Sequence, residues 1–492
     1  MEVHTDTEQC LRAVRARDAR FDGWFFTAVV TTGIYCRPSC PAMSPHARNV
    51  RFHPTAASAQ AAGFRACKRC RPDASPGSPE WDLRSDLVAR SVRLIADGVV
   101  DREGVTGLAT RLGYSRRQLE RLLHAELGAG PLGLARAQRA QTARLLVETT
   151  TLPIGDVAFA AGFGSVRQFN DTVRDVFATT PGELRARARR QLPTTPGTVT
   201  VRLPFRQPLW PDNLFGHLAA TAVPGVEEWR HGAYRRTLRL PHGTGIVTLS
   251  PLPDHVGCSL SLTDLRDLSV AIARCRRLLD LDADPVAVDA LLSEDPDLAP
   301  LVAKAPGRRV PRTVDEGELA LRAVLGQQVS TAAARTHAGR LVTALGEPVP
   351  DAAGGLTHLF PSAAAVAESD PAALAMPQAR RDTLLRLARA LADGSVVLGP
   401  GVDRHQARAQ LAALKGVGPW TIEAIAMRAL GDPDAFLPTD LGVVSLARRH
   451  GLPTGAGLLA RAERWRPWRA YAVQHLWALG DHPVNTLPGD AA

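Results

Sequence analysis

Four of the seven cysteines occur as two close pairs, and no other feature of the sequence limits the fold as strongly. Cys36 and Cys40 form a C-x3-C pair, Cys67 and Cys70 form a C-x2-C pair, and 26 residues lie between the pairs. Each pair places two thiolates on a turn, and four sulfur atoms satisfy the tetrahedral preference of Zn²⁺. The sequence therefore predicts one tetrathiolate zinc site bound by these four cysteines.

Two roles are open for such a zinc site. A structural zinc would stabilise a domain of about 75 residues, which has only a small core of its own. Alternatively, one zinc-bound thiolate would stay deprotonated at neutral pH and attack an electrophilic methyl group. The spacing of the cysteines does not choose between these roles.

The net charge of +10 is concentrated in the first part of the chain. Residues 1–192 contain 28 of the 59 Lys+Arg but only 19 of the 49 Asp+Glu, whereas the rest is nearly balanced. An arginine-rich surface suits bidentate contact with phosphates and guanine edges. We therefore expect a nucleic-acid partner and no membrane, because the sequence has neither a basic amphipathic anchor nor an apolar stretch of bilayer length. The acidic start, which lacks the features of a signal peptide, leads us to expect a cytoplasmic protein.

Two stretches rich in Pro, Gly, Ser or Thr, at 72–79 and 189–197, are typical of linkers. They divide the chain into three segments, and the sequence predicts a multidomain, mainly α protein. The predicted domains cover residues 1–75, 80–190 and 199–492.

The third segment changes character along its length. Short β-like runs come first, and almost everything after residue 265 is helical in pattern. This order predicts an α+β cap over residues 199–303 and an all-α body over residues 304–492. The β-like runs lie at 199–203, 234–240, 246–252 and 258–262.

The middle segment contains a weak internal repeat, since residues 108–119 resemble residues 157–169. Each copy is typical of a helix, a glycine turn and a second helix, with the turns at Gly113 and Gly162. Residues 132–147 are predicted to form the helix that connects the two copies. The cysteine-containing segment before the repeat is expected to be a small α+β domain that binds the zinc.

The first segment resembles a known family at two motifs. TTGIYCRPSC at 31–40 and AGFRACKRC at 62–70 closely resemble the metal-binding domain of the Ada family of adaptive-response DNA repair proteins. The resemblance implies that Cys36 accepts a methyl group irreversibly from a methylphosphotriester in DNA, while the other three cysteines complete the zinc site. Methylation would remove one negative charge from the cluster, which should strengthen binding to DNA phosphates.

The middle segment resembles the AraC-type DNA-binding region, which has two helix-turn-helix units on one connecting helix. IGDVAFAAGFGSVRQF at 154–169 and TPGEL at 180–184 carry the likeness. In that geometry the second helix of each unit enters the major groove, and its early side chains contact bases. Any one of these side chains could instead contact only phosphate. The candidates are Arg116, Arg117 and Gln118 in the first unit and Val166, Arg167 and Gln168 in the second.

Two motifs in the third segment point to a further DNA contact. LKGVGPW at 414–420 is followed by FLPTD at 436–440. Gly416 and Gly418 allow a tight hairpin between two helices, and its free backbone N–H groups, with Lys415 beside them, would bind a DNA phosphate. The combination of the two motifs resembles the helix-hairpin-helix DNA glycosylases.

Within that superfamily the best match is the AlkA-type 3-methyladenine DNA glycosylase II. LGQQVS at 325–330 and WRPWRAYAVQHLW at 465–477 are collinear with it, as are the two motifs already described. The resemblance implies that Asp440 is the catalytic carboxylate, which stabilises positive charge on the sugar and orients water. From the residues alone, an N-cap at the start of a helix is the commoner role for such an aspartate.

The same resemblance implies a base pocket and a wedge. Trp420 and Trp477 match pocket aromatics that attract bases made positive by N-alkylation, although tryptophans on helices are more often core residues. Gln328 takes the position of an apolar wedge that fills the gap left by the flipped base. Trp420 stands where bifunctional members carry a Schiff-base lysine, so excision without strand cleavage is expected. Ala424 and Leu441 replace pocket tyrosines, so the range of substrates is expected to differ.

Together the resemblances predict a repair protein for alkylated double-stranded DNA that also regulates transcription. It would transfer methyl groups to Cys36, bind promoter DNA as a monomer with RNA polymerase as a further partner, and excise bases of the 3-methyladenine class. Zinc is the one cofactor expected. No iron–sulfur cluster is expected because no cysteine follows Cys275, and no nucleotide cofactor because the glycines at 128, 130 and 133 do not follow a strand. The alternatives are an AraC-type regulator with a structural zinc and an inert glycosylase-like domain, and a repair enzyme without a role in transcription.

Overall fold

The structure is a computed structural model, and it describes residues 6–18, 21–43, 45–70, 72, 86–187, 198–370 and 376–489. Most of the two predicted linkers, residues 73–79 and 189–197, lies outside the described residues. The chain forms two compact units. The first unit extends to Arg206 and also includes residues 240–243 and 258–273, and the second contains the remaining residues. No helix within the described ranges is both long and apolar enough to cross a membrane.

The N-terminal part of the first unit is a small α+β module. Its elements are α1 Thr7–Ala16, β1 Phe26–Val29, β2 Ile34–Cys36, β3 Val50–His53, α2 Ala56–Ala61 and β4 Arg65–Ala66. The four strands form a sheet in the order β3-β1-β2-β4, in which β2 runs antiparallel to β1 and parallel to β4. Phe25 and Tyr35 are fully buried and stack edge-on against Phe52 and Phe26 respectively. The expectation of a small α+β domain is confirmed.

The next part of the first unit is entirely helical among the described residues. Its helices are α3 Asp86–Ala96, α4 Val99–Leu112, which is interrupted at Gly104, α5 Arg116–Leu127, α6 Pro131–Thr149, α7 Ile154–Ala160, α8 Val166–Phe177 and α9 Pro181–Ala186. Ser115 and Ser165 cap α5 and α8 with their side chains. The predicted repeat is confirmed, because α4 with α5 and α7 with α8 form the two helix-turn-helix units and α6 connects them.

The α+β module packs against these helices. The Thr55 hydroxyl donates a buried hydrogen bond to the Leu127 carbonyl at 2.9 Å, where α5 ends. Lys68 Nζ donates to the Ala178 carbonyl at 3.4 Å, where α8 ends. A Cβ on Gly128 would lie 2.7 Å from Ser58 Cβ, so α2 approaches the end of α5 as closely as glycine allows. The first two predicted segments therefore form one packed unit.

The chain then continues through five strands and one helix. They are β5 Thr198–Pro204, α10 Pro211–Ala220, β6 Glu227–Arg230, β7 Ala233–Arg239, β8 Thr244–Pro251 and β9 His255–Leu262. In the second unit β6, β7 and β8 form an antiparallel meander. The four predicted runs correspond to β5, β7, β8 and β9, whereas β6 and α10 were not predicted. The strand β6 lacks apolar alternation because its buried Glu227 pairs with Arg236 and Arg322 at 3.1 and 2.9 Å.

The rest of the chain is helical, as predicted. The helices are α11 Leu268–Leu278, α12 Pro285–Leu292, α13 Ala299–Lys304, α14 Glu316–Leu325, α15 Thr331–Leu345, α16 Ala363–Glu368, α17 Gln378–Ala392, α18 Arg404–Ala412, α19 Pro419–Arg428, α20 Leu441–Arg449, α21 Ala456–Ala462 and α22 Arg469–Trp477. They surround two apolar clusters, and α19 contributes Met427 to one and Ile425 to the other. Because α19 is buried in both clusters, its N-terminus has a fixed position.

The contact between α2 and the end of α5 can be tested with two glycines that cap helices in the left-handed region. Gly113→Ala should cost roughly 1 kcal/mol of unfolding free energy, since the added Cβ has only the backbone strain to overcome. Gly128→Ala should cost about 1–3 kcal/mol more, because its Cβ also collides with Ser58. Urea unfolding of the full chain measures both changes, and equal losses would contradict the contact.

Candidate functional site

The four paired cysteines lie together in the first unit. The Sγ atoms of Cys36, Cys40, Cys67 and Cys70 are all within 4.8 Å of one another. Four sulfurs at about 2.3 Å from a tetrahedral Zn²⁺ would be separated by about 3.8 Å, which this cluster accommodates. Among the described residues it is the one group of three or more His, Cys, Asp or Glu side chains close enough to hold a metal ion. The donor set and its compactness therefore fit zinc.

Strand pairing brings the two cysteine pairs together. The last residue of β2 is Cys36, and Cys67 directly follows β4. The two strands are parallel, with Tyr35 opposite Ala66, so the residues that follow β2 and β4 leave the sheet at the same end of the strands. The Cys67 amide donates to the Tyr35 carbonyl at 3.0 Å. The sheet register thus places the cysteines within reach of one ion.

The four cysteines differ in accessibility and in electrostatics. Cys67 and Cys70 are buried, whereas Cys36 and Cys40 are half-buried, so the first pair is the more accessible of the two. Hydrogen bonding within the cluster, first of all with Cys40, raises the pKa of the Cys36 thiol. Hydrogen bonding with Cys36 lowers the pKa of the Cys67 thiol. Four thiolates this close would repel one another, and a bound cation would offset that repulsion.

The predicted base-contacting residues lie at the start of α5 and α8. Arg116, Arg117 and Arg167 are exposed. Gln118 and Gln168 are also exposed, but each has a local hydrogen bond. The Gln118 side chain accepts the Ser115 N–H in a capping box, and Gln168 Oε1 accepts the Gly164 N–H at 3.3 Å. Arg116 is also held locally, because its Nε donates to Glu120 Oε1 at 2.8 Å. Local hydrogen bonds therefore orient Arg116 and both glutamines at the starts of their helices.

Val166 is partly exposed, at 36%, and it is the first residue of α8. It stands beside Arg167, whose side chain is 93% exposed and has a 4.0 Å contact with Asp171 as its ion pair. All six predicted base-contacting residues thus lie in the first turns of the two second helices.

In the second unit α18 and α19 are joined by the predicted glycine hairpin. Gly416 has a φ of +94°, and a Cβ there would lie 2.0 Å from the Thr383 hydroxyl, so only glycine fits. Gly418 is the N-cap of α19, and Lys415 is exposed beside it. The first N–H groups of a helix have no partner within the helix and attract anions. The hairpin therefore presents a positive, exposed surface suited to phosphate.

The loop between α14 and α15 is attached to this hairpin. The side-chain amide of Gln327 donates to the Gly416 carbonyl at 3.1 Å and to the Thr421 hydroxyl at 2.9 Å. The next residue, Gln328, is exposed and has a φ of +55°, which is uncommon for a residue other than glycine, asparagine or aspartate. Sequence reasoning missed Gln327, although it stands within the LGQQVS motif.

Asp440 lies at the centre of the third predicted site. The indole N–H of Trp420 donates to Asp440 Oδ2 and that of Trp477 donates to Oδ1, both at 2.9 Å. The Val443 amide also donates to Oδ1 at 3.0 Å, so Asp440 is the N-cap of α20 as well. One carboxylate therefore caps α20 and also accepts both indole N–H groups. Both tryptophans are half-buried and pack against the apolar core through their rings.

Two neighbours shape this site. A Cβ on Gly442 would lie 3.0 Å from Asp440 Oδ1 and 3.4 Å from Trp477 Nε1, so the glycine allows the indole to approach the carboxylate. Sequence reasoning missed Gly442, and its place two residues after Asp440 was the available signal. Leu441 is 82% exposed, and Ala424 packs against the same core as the tryptophans. Of these two positions, Leu441 is therefore the accessible one.

Three family models match the chain. The metal-binding domain of Ada matches residues 9–73, a helix-turn-helix domain matches residues 108–187, and the AlkA N-terminal domain matches residues 200–315. The three matches follow the order of the cysteine module, the helix-turn-helix units and the α+β part.

Curated relatives cover the same parts. DNA-3-methyladenine glycosylase 2 of Escherichia coli is 34% identical over 273 residues, which is 54% of this chain and 92% of that protein. The bifunctional transcriptional activator/DNA repair enzyme Ada of Escherichia coli is 34% identical over 169 residues, which is 34% of this chain and 46% of that protein. The probable bifunctional transcriptional activator/DNA repair enzyme AlkA of Mycobacterium tuberculosis is 64% identical over 490 residues, and the match covers 99% of both chains. The chain therefore belongs to the family of bifunctional transcriptional activator/DNA repair enzymes AlkA.

Proposed function

We propose that the chain repairs alkylated double-stranded DNA by two separate chemistries and regulates transcription. Cys36 accepts a methyl group from a DNA methylphosphotriester, and Asp440 supports the hydrolytic excision of N-alkylated bases of the 3-methyladenine class. The observation that carries the proposal is the Asp440 carboxylate held by two indole N–H groups at 2.9 Å. The compact cysteine cluster supports methyl transfer to Cys36.

Methyl acceptance by Cys36 is supported by the position of this half-buried residue in a cluster that fits zinc. A bound zinc ion keeps its cysteine ligands deprotonated at neutral pH. The Cys36 sulfur attacks the methyl carbon, an S–C bond forms and the C–O bond breaks. The phosphate oxygen keeps the electron pair, so the products are a thioether and an ordinary phosphodiester anion. The thioether is not converted back, and each protein molecule therefore acts once.

Base excision is supported by what surrounds Asp440. The carboxylate stabilises positive charge as the bond between sugar and base breaks, and it orients the water that adds to the sugar. Trp420 and Trp477 hold the carboxylate through their N–H groups, and their rings offer π faces to a flipped cationic base. Because Trp420 stands where a Schiff-base lysine would be needed, the excision leaves the strand intact.

We assign the DNA contacts to three surfaces. Arg116, Arg117 and Arg167, with Gln118, Val166 and Gln168 beside them, read promoter DNA in the major groove. Lys415, Gly416 and Gly418 bind a phosphate. Gln328 acts as the wedge, which its exposed position next to the tethered Gln327 supports. The partners are promoter DNA, alkylated DNA and RNA polymerase, and the protein acts as a monomer in the cytoplasm.

We also retain three functional domains, over residues 1–75, 80–190 and 199–492, the last with a cap at 199–303 and a body at 304–492. The family matches at 9–73, 108–187 and 200–315 support these boundaries. One zinc ion, bound by Cys36, Cys40, Cys67 and Cys70, is the cofactor that this proposal requires.

The competing function is an AraC-type regulator with a structural zinc and an inert glycosylase-like domain. The N-cap role of Asp440 favours it, because a capping aspartate needs no catalytic explanation. The two indole donors disfavour it, since a cap at α20 does not require them. The experiments below separate the two functions.

Methyl transfer is tested by mixing the zinc-loaded full chain with duplex DNA that contains one methylphosphotriester. We expect the protein to gain one methyl group, and peptide mass spectrometry should find it on Cys36, the acceptor that the resemblance to the Ada family implies. Protein mixed with unmodified DNA is the control. A methyl group on another residue, or none on zinc-loaded protein, would contradict the assignment.

Base excision is tested by the release of 3-methyladenine from methylated duplex DNA. Asp440→Asn should lower the rate at least about 100-fold, because the charge is lost while an asparagine still caps α20. Trp477→Phe, which keeps a ring but removes one N–H donor to Asp440, should lower the rate only about tenfold. Equal release by wild type and Asp440→Asn would rule out the catalytic role, and no release by either would favour the inert alternative.

Regulation is tested by the affinity of the protein for promoter DNA before and after methylation of Cys36. Loss of one negative charge beside the phosphates should raise the affinity about threefold to tenfold at low salt, and added salt should reduce the gain. Fluorescence anisotropy over a salt series measures both effects. An unchanged affinity would support a repair enzyme without a role in transcription.

A further inference from the structure

A buried carboxylate outside the cysteine cluster contacts the loop between Cys36 and Cys40. Asp22 is 6% exposed. Its Oδ1 accepts the Ser39 N–H at 3.0 Å, and its Oδ2 accepts the Ser39 hydroxyl at 2.6 Å. Arg37 Nη1 lies 3.4 Å from the same Oδ2. One side chain thus contacts two of the three residues between the first two cysteines.

A second side chain fixes Asp22 from a distant part of the sequence. Arg206 is 7% exposed, and its Nη2 donates to the Asp22 carbonyl at 2.9 Å. Arg206 follows β5 and lies within the match to the AlkA N-terminal domain at 200–315, outside the match to the metal-binding domain of Ada at 9–73. Both residues belong to the first unit.

The electrostatics at Asp22 make its surroundings important. Burial raises the pKa of the Asp22 carboxyl, while hydrogen bonds from Ser39 and the positive charges of Arg37 and Arg206 act in the opposite direction. A buried carboxylate without these partners would be costly. The loop and Arg206 therefore stabilise Asp22, and Asp22 in turn holds the loop.

Backbone contacts also shape this loop, since Cys36 is paired with Thr27 in the sheet and the Arg37 N–H hydrogen-bonds the Cys70 sulfur. Within the loop, the Cys40 amide donates to the Arg37 carbonyl at 3.1 Å and closes one turn. Attack on a methyl carbon requires the sulfur to lie in line with the bond that breaks, so small shifts of the loop reduce the rate. Contacts that hold Ser39 and Arg37 thereby hold the backbone on which Cys36 stands.

We propose that Asp22 is a positioning residue for the loop that carries Cys36 and that Arg206 holds Asp22 in place. Methyl transfer then depends on a residue from outside the match to the metal-binding domain. The inference rests on the proposed methyl acceptance by Cys36. A looser loop should also release zinc more readily, and the rate of zinc loss can be measured whether or not Cys36 accepts a methyl group.

The test uses the zinc-loaded full chain and the variants Arg206→Ala, Arg206→Lys and Asp22→Ala. Two quantities are measured, namely the single-turnover rate of methyl transfer at saturating DNA and the rate of zinc loss to a chelator. Arg206→Ala should slow transfer about tenfold and accelerate zinc loss by a similar factor, since one buried hydrogen bond is lost. Arg206→Lys keeps a donor and should restore most of both rates. Asp22→Ala should exceed the effect of Arg206→Ala.

Arg202→Ala is the matched control, because Arg202 is an exposed arginine on β5 shortly before Arg206. It should change neither rate, and base excision should be unchanged in every variant. If Arg206→Ala does not fold, Arg206→Met, which keeps the aliphatic stem but has no N–H donor, replaces it with the same expectation.

The two rates separate failure of the inference from failure of the proposed function. Wild-type rates in Arg206→Ala, or no recovery in Arg206→Lys, would overturn the inference. If the wild-type protein accepts no methyl group, the proposed function fails, and the zinc-loss rates alone then decide whether Arg206 and Asp22 hold the loop.

Discussion

The close approach of four cysteine sulfurs is the constraint on which the front of this protein depends. The strands that bring them together are short, and β4 has only two residues, so backbone pairing alone gives the module little stability. The sulfurs within 4.8 Å of one another compete for charge unless a cation lies between them. A metal that stabilises the fold would bind Cys36, which is half-buried, together with the buried Cys67 and Cys70. Structural and chemical roles of the zinc are therefore compatible in one site.

In the second unit, the carboxylate of Asp440 likewise connects several neighbouring residues. Asp440 ends the loop before α20, caps that helix and accepts two indole N–H groups, so one carboxylate joins the start of α20 to both tryptophans. Close approach is again secured by glycine, at Gly442 beside the carboxylate and at Gly416 beside Thr383. Because α19 packs into two apolar clusters, the hairpin and Trp420 have fixed positions.

The sequence predicted the elements that have a periodic or spaced signal. Such a signal marks the cysteine pairs, the repeated helix-turn-helix units and the glycine hairpin, and the structure contains all three. The strand β6 was missed because its buried residue Glu227 is charged and pairs with Arg236 on the next strand and with Arg322 in a distant helix, which no apolar alternation reveals. The same holds for Asp22, whose partner Arg206 is 184 residues away. Three separate segments were expected, yet Thr55 and Leu127 show that the first two pack together.

The central claim is that one polypeptide holds two independent chemistries for alkylated DNA. The direct test is a crossed pair of variants on one duplex that contains both a methylphosphotriester and 3-methyladenine. Cys36→Ser should abolish methyl transfer and leave base release intact, and Asp440→Asn should do the reverse. Two separate sites would be contradicted if either variant lost both activities. They would also be contradicted if both variants kept both activities.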